Sequence, residues 1–167
     1  LNVPTAKSDM SFAVSVPVAP GGRRLEWAGT DLNSVFAQRR NLVSPRFLAM
    51  LADILRFFRS ARLVHQEPGD PTLGQFIDRL APGAWFKDRF LVPMGAAIWS
   101  TPPREMLQFP ARTFVRFFEN HGLLSVQGHH PWRTVAGGSQ EYVRRITERL
   151  GARVRTGARV VDVRSTN

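Results

Sequence analysis

The stretch that most constrains this chain begins at Ser44, "SPRFLAMLADILRFFRSARL". Ser44 followed by Pro45 predicts a helix start, because the serine side chain accepts an orphan backbone donor and proline has none to lose at the first helical position. The helix is expected to continue to about Leu63. Its apolar stripe, Phe47, Leu51, Ile54 and Phe58, is widened by Leu48, Leu55 and Phe57. A stripe that broad cannot be covered by one neighbour, so this helix has to be largely enclosed. With 167 residues, 43% of them hydrophobic, the chain is long enough to supply a compact core.

The neighbouring segments are patterned to provide it. Residues 10–17 alternate Met10, Phe12, Val14 and Val16 against Ser11, Ala13 and Ser15, the period of a half-buried strand. A turn at Pro20, Gly21 and Gly22 leads into "RRLEWAG", which predicts a β-hairpin. Asp31 is placed to cap a short helix. Thr72 is placed to cap another, with Leu73, Phe76, Ile77 and Leu80 on one face and Pro82-Gly83 at its end. A third helical segment, "GAWFKDRFLVPMGAAIWS", carries Trp85, Trp99 and a small-residue run, Gly95-Ala96-Ala97, that admits close helix packing or a flat ligand. A helix over about 110–120 buries Phe114, Val115, Phe117 and Phe118, and Gly122 is placed to end it in the left-handed conformation. Then "PWRTV" reads as extended, Gly137-Gly138 as a turn, and Ser139 as the cap of a helix with Tyr142, Val143, Ile146 and Leu150 on its apolar face, stopped by Gly151. The strands "ARV" and "ARVVDV" follow. The expected class is α+β: a mainly helical region over 1–130 with a β-hairpin, and a partial βαβ-like element over 131–167.

Several kinds of chemistry are excluded or left without residues. There are no cysteines, which removes disulfides and thiolate chemistry and fits a cytoplasmic setting. No apolar run approaches the length of a bilayer span, and no signal peptide is visible. The net charge is +10, with 23 basic against 13 acidic residues, and the basic ones are arginines except Lys7 and Lys87. Guanidinium groups suit phosphates, so a basic helical module for nucleic acid or an acidic membrane surface is the alternative function. Yet the arginines fall as pairs or helix-spaced triplets such as Arg56, Arg59 and Arg62 along the whole chain, as solvated helix faces do, and a nucleic-acid partner is not expected. Ser139 lacks the glycine two residues on that a nucleophile elbow needs. His129 and His130 are adjacent and point to opposite sides of an extended chain, and neither His65 nor His121 has a partner at ligand spacing, so no metal site is expected. The Gly-Gly-Ser junction serves an anion at a helix N-terminus or is simply a turn. Neither a G-x-G-x-x-G fingerprint nor a P-loop is present.

"GGSQEYVRRITERLGARVRTGARVVDV", residues 137–163, resembles the flavin-dependent amine oxidase superfamily, in which a strand leads into Gly-Gly, a helix, a short strand and a V-x-x-V strand. "PTLGQFIDRL", "FLVPMGAAIWSTP" and "FFENHGLL" are similar to helical substrate-domain segments of its bacterial branch of NAD/FAD-binding proteins. The resemblance implies an internal, substrate-binding region of an FAD-dependent oxidoreductase, inactive alone, with the flavin fingerprint outside these residues. It implies that Gly137, Gly138 and Val160 contact FAD, Val160 through its backbone to the adenine. It also implies that His130 and Trp132 line the substrate side of the flavin, with Trp99 in the substrate region of the helices. The partners implied are a small-molecule substrate and the remainder of the FAD-binding domain. The glutamine that monoamine oxidases carry in that neighbourhood is missing, which sets amine substrates in question. A chain that opens on Leu1 and closes just after a strand with no hairpin partner is expected to be a piece of a longer protein. Its unpaired strand predicts a homodimer or poor ordering there.

Overall fold

The computed structural model describes residues 1–8, 12–125 and 131–164. The class is α+β, mainly helical with two small antiparallel sheets of two strands each. The chain forms two compact units, one from residues 10–130 and one from residues 1–9 together with 131–167. Strand β1, Thr5–Lys7, belongs to the second unit.

The larger unit opens with the hairpin. Strands β2 (Ala13–Pro17) and β3 (Arg24–Ala28) pair from Ala13 opposite Ala28 to Pro17 opposite Arg24, closed by a turn in which Gly21 takes φ +65°. The alternation puts Val14, Leu25 and Trp27 on the buried face and leaves Ala13 and Ser15 in water. Asp31 caps α1 (Leu32–Val35) with a reciprocal bond from Ser34, and a 3₁₀ turn over Arg39–Val43 follows. Helix α2, Pro45–Ser60, begins at Ser44 as its sequence requires, the serine oxygen accepting from the Phe47 N–H. It buries Phe47, Met50, Asp53, Ile54 and Phe57 and continues as a 3₁₀ stretch over Ala61–Gln66. Its enclosure is narrower than the sequence predicts: Leu48 and Leu55 are exposed, and Leu51 and Phe58 are only partly buried against the core. Asp53 is buried with its carboxylate partnered, accepting from the Gly83 N–H at 2.8 Å and pairing with Arg56 at 3.0 Å.

Helix α3, Leu73–Leu80, has a full capping box from Thr72 and Gln75, and ends with Ala81 in the left-handed conformation just ahead of Pro82. Its first N–H groups donate to the carbonyls of Phe109 (2.7 Å) and Leu107 (2.8 Å), which fastens it to the stretch over residues 107–109. The tryptophan-bearing segment is one helical run: α4 (Ala84–Phe86), a π-turn over Lys87–Leu91, and α5 (Val92–Trp99). Pro93 has no N–H for the carbonyl four residues back, and the chain widens just before it, the Val92 N–H reaching the Lys87 carbonyl. Helix α6, Pro103–Met106, sends Met106 into the core, and α7, Ala111–Asn120, buries Phe114, Val115 and Phe118. Gly122 ends α7 at φ +67°, with the Leu123 N–H returning to Phe118 at 2.8 Å. Among the described residues every buried apolar one lies in this unit, and its centre is aromatic: Phe57, Phe86, Phe90, Phe114 and Phe118 meet one another in ring contacts, Phe114 and Phe118 stacked at 4.4 Å.

In the smaller unit, β1 pairs with β4, Arg133–Val135, from Thr5 opposite Val135 to Lys7 opposite Arg133. Helix α8, Gln140–Leu150, follows the Gly-Gly turn. Two expectations fail here. Ser139 is itself helical (φ −62°, ψ −23°) and its side chain makes no cap bond. The segments "ARV" and "ARVVDV" are not strands: a 3₁₀ turn occupies Gly151–Arg153, and residues 158–163 run without a sheet neighbour among the described residues. An extended segment becomes a strand only where another strand takes its backbone groups.

Candidate functional site

The site that the resemblance implies is built around the junction of β4 and α8. Arg133 fixes the strand pair, its Nε donating to Thr5 Oγ1 at 2.7 Å and its Nη2 to the Thr5 carbonyl at 2.9 Å. The Ser8 N–H reaches the Trp132 carbonyl at 3.0 Å, and the Ala136 N–H reaches the Pro4 carbonyl at 3.0 Å. Gly137 (φ +85°) and Gly138 (φ +84°) then turn the chain in a conformation open mainly to glycine. A Cβ on Gly137 would stand 3.1 Å from the Glu141 side chain, whereas one on Gly138 would meet nothing within 4 Å. Gly138 is therefore set by its backbone angle and not by crowding. The junction is also less generous to an anion than its sequence suggests: the Gly138 N–H is taken by the Val135 carbonyl and the Glu141 N–H by the Gly138 carbonyl, both at 3.1 Å.

On α8, Glu141 accepts from Arg144 and Arg145, and the Arg144 hydrogen bond above all holds its carboxyl below the ordinary glutamate value. Arg145 in turn donates to the carbonyls of Leu1 (3.2 Å) and Asn2 (2.9 Å), tying the helix to the first residues of the chain. Tyr142, Val143, Ile146 and Leu150 form the apolar face as the spacing predicts, and they lie exposed. Trp132 is half-buried. Val160 is 75% exposed.

Of the other sequence-derived candidates, His130 lies outside the described residues. Trp99 belongs to the larger unit, half-buried among Phe109, Phe114 and Phe117 with ring centroids 4.9, 5.3 and 4.8 Å away. The small-residue run beside it is used for packing: a Cβ on Gly95 would stand 3.0 Å from both Met106 Cγ and Phe114 Cε2. No group of three metal-ligating side chains converges among the described residues.

Two clusters escape a reading by sequence spacing. Glu119 on α7 accepts from Arg62 at 2.9 Å, and His65 Nε2 lies 3.0 Å from its other oxygen. Burial of Glu119 works against ionisation, but the bonds from His65 and Arg62 outweigh it and lower its pKa. The second cluster is a cavity of about 310 Å³ where the hairpin turn meets the run Gln38 to Ser44. The only sequence trace of either is a pair of arginines or a lone histidine, since the partners come from distant segments. Compared with known proteins, the sequence matches no family model and no curated protein.

Proposed function

We propose that this chain is the substrate-side region of an FAD-dependent oxidoreductase of the amine oxidase type, with the dinucleotide fingerprint supplied by polypeptide outside these residues. The observation that carries the reading is the pairing of β1 with β4. In chain order, the whole helical unit is an insertion between two strands that lie side by side, and the return strand runs directly into the Gly-Gly turn. Such an arrangement suits a cofactor-binding layer interrupted by a substrate-binding one.

The residues present fit part of a flavin site. Gly138 offers backbone without a side chain and with open space over it, and Val160 has an exposed backbone not committed to a sheet. When bound, the flavin supplies hydride acceptance, which no side chain here provides. The chain's own part is to hold and orient: Gly138 lets the backbone approach a flat ring, and Trp132 walls the substrate side. The substrate is a small molecule.

The test is uptake of FAD. The 167-residue chain alone is expected to bind FAD weakly or not at all, and a longer polypeptide that includes a fingerprint is expected to purify yellow. In that longer protein, Trp132→Ala is expected to keep its flavin content and change the rate of substrate-induced flavin reduction. A longer polypeptide that stays colourless after incubation with FAD would sink the proposal.

A further inference from the structure

The cavity beside the hairpin turn has the composition of an anion site. Arg23, Arg24, Arg40, Asn41 and Ser44 supply its polar wall. Among the described residues, no carboxylate stands within ion-pair distance of any of these three arginines, whereas Arg56, Arg62, Arg79, Arg144 and Arg145 each pair with one. Glu26, the acidic residue nearest in sequence, is engaged by Ser15 at 2.9 Å and Gln38 at 3.2 Å and does not line the cavity.

Two of the cations are held in place. Arg24 donates to Ser15 Oγ (2.9 Å) and to the Ser15 carbonyl (2.6 Å). Arg40 donates through Nη2 to the Arg24 carbonyl (2.7 Å) and to Gln38 Oε1 (2.9 Å), and Gln38 is itself fixed by the Glu26 N–H and the Arg24 carbonyl. A guanidinium has five N–H donors, so most of those on Arg40 stay uncommitted while its position is set. That is preorganisation, which lowers the cost of binding.

Asn41 also lines the cavity. It is only 4% exposed, and its Nδ2 has no hydrogen-bond partner. It therefore belongs to the buried base of this wall, with its amide nitrogen turned away from solvent. Ser44 stands at the N-terminus of α2, the positive end of a 16-residue helix. The remaining wall, Val18, Leu25 and Trp85, is apolar.

We infer that this cavity binds an organic anion, its phosphate or carboxylate head held by Arg40 in the field of Arg23 and Arg24, its apolar body against Trp85 and Val18. The volume suits a small ligand and not a dinucleotide. The inference stands without the flavin reading, because every residue it uses lies in the larger unit.

Calorimetric titration of the 167-residue chain tests it with four probes: phenyl phosphate, benzoate, inorganic phosphate and phenol. Phenyl phosphate or benzoate is expected to bind saturably, about tenfold or more tighter than inorganic phosphate, with phenol silent. Arg40→Gln is expected to weaken binding about tenfold or more. Arg23→Gln is expected to weaken it by a smaller factor, since Arg23 acts only through its charge. Binding by neither organic anion, equal binding of inorganic phosphate, or undiminished binding in both variants would each overturn the assignment.

Discussion

At the scale of single residues, Glu119 shows how the chain uses charge for structure. It joins the stretch after α2 to α7 through Arg62 and His65, the latter 54 positions away in sequence. Because its pKa is lowered in the folded state, the stabilisation it gives is present above the ordinary glutamate value of 4.5 and is lost as pH falls through the lower folded value. With its side chain 23% exposed, the cluster is worth about 1 kcal/mol at neutral pH. Glu119→Gln is expected to lower stability by that amount at pH 7, and the gap between the two proteins is expected to close as the medium is acidified below the ordinary glutamate value and through the lowered folded one. Urea unfolding of both proteins across that range checks it, and a gap that widens on acidification would contradict the assignment.

At the scale of elements, the helix starts at Asp31, Ser44 and Thr72 were legible in the sequence, because each is decided within four residues by a side chain and a nearby N–H. Ser139 has the same chemistry and no cap bond, since the two left-handed glycines before it deliver the chain with Ser139 already helical. The π-turn ahead of Pro93 was not legible: proline announces a disturbance but not whether the helix breaks or widens. Residues 158–163 read as a strand because their valines alternate, yet a strand depends on a neighbour that local pattern does not supply. The candidate site divides the same way, with the Gly-Gly turn visible in sequence and the arginine cavity assembled from segments far apart. Glycines differ in kind too. Gly95→Val puts methyl groups into the Met106 and Phe114 contacts and is expected to cost about 3 kcal/mol, whereas Gly138→Ala meets open space and is expected to cost about 1 kcal/mol for its backbone angle alone. Denaturant midpoints that rank the two variants in the opposite order would refute this distinction.

At the scale of the whole molecule, the two units differ in what can hold them folded. Among the described residues, all 21 buried hydrophobic side chains of the core belong to residues 10–130, and none of the smaller unit is buried. Ordering a residue costs about 1–2 kcal/mol of backbone entropy, and burial of apolar surface is the main term that offsets it. The smaller unit is left with a three-residue strand pair, one amphipathic helix whose apolar face is exposed, and arginine bonds to carbonyls. Its share of the cooperative unfolding energy is therefore small. A polypeptide of residues 10–130 is expected to fold alone, with a sharp thermal transition within a few degrees of that of the 167-residue chain, because it keeps the whole aromatic core. In the intact chain, amides of β1, β4 and α8 are expected to exchange with solvent long before those of α2 and α7. Differential scanning calorimetry of both polypeptides, alongside hydrogen exchange of the longer one, decides the matter. If removing residues 1–9 and 131–167 abolishes the transition, or if α8 exchanges as slowly as α7, then the smaller unit stabilises the core far more than its burial implies.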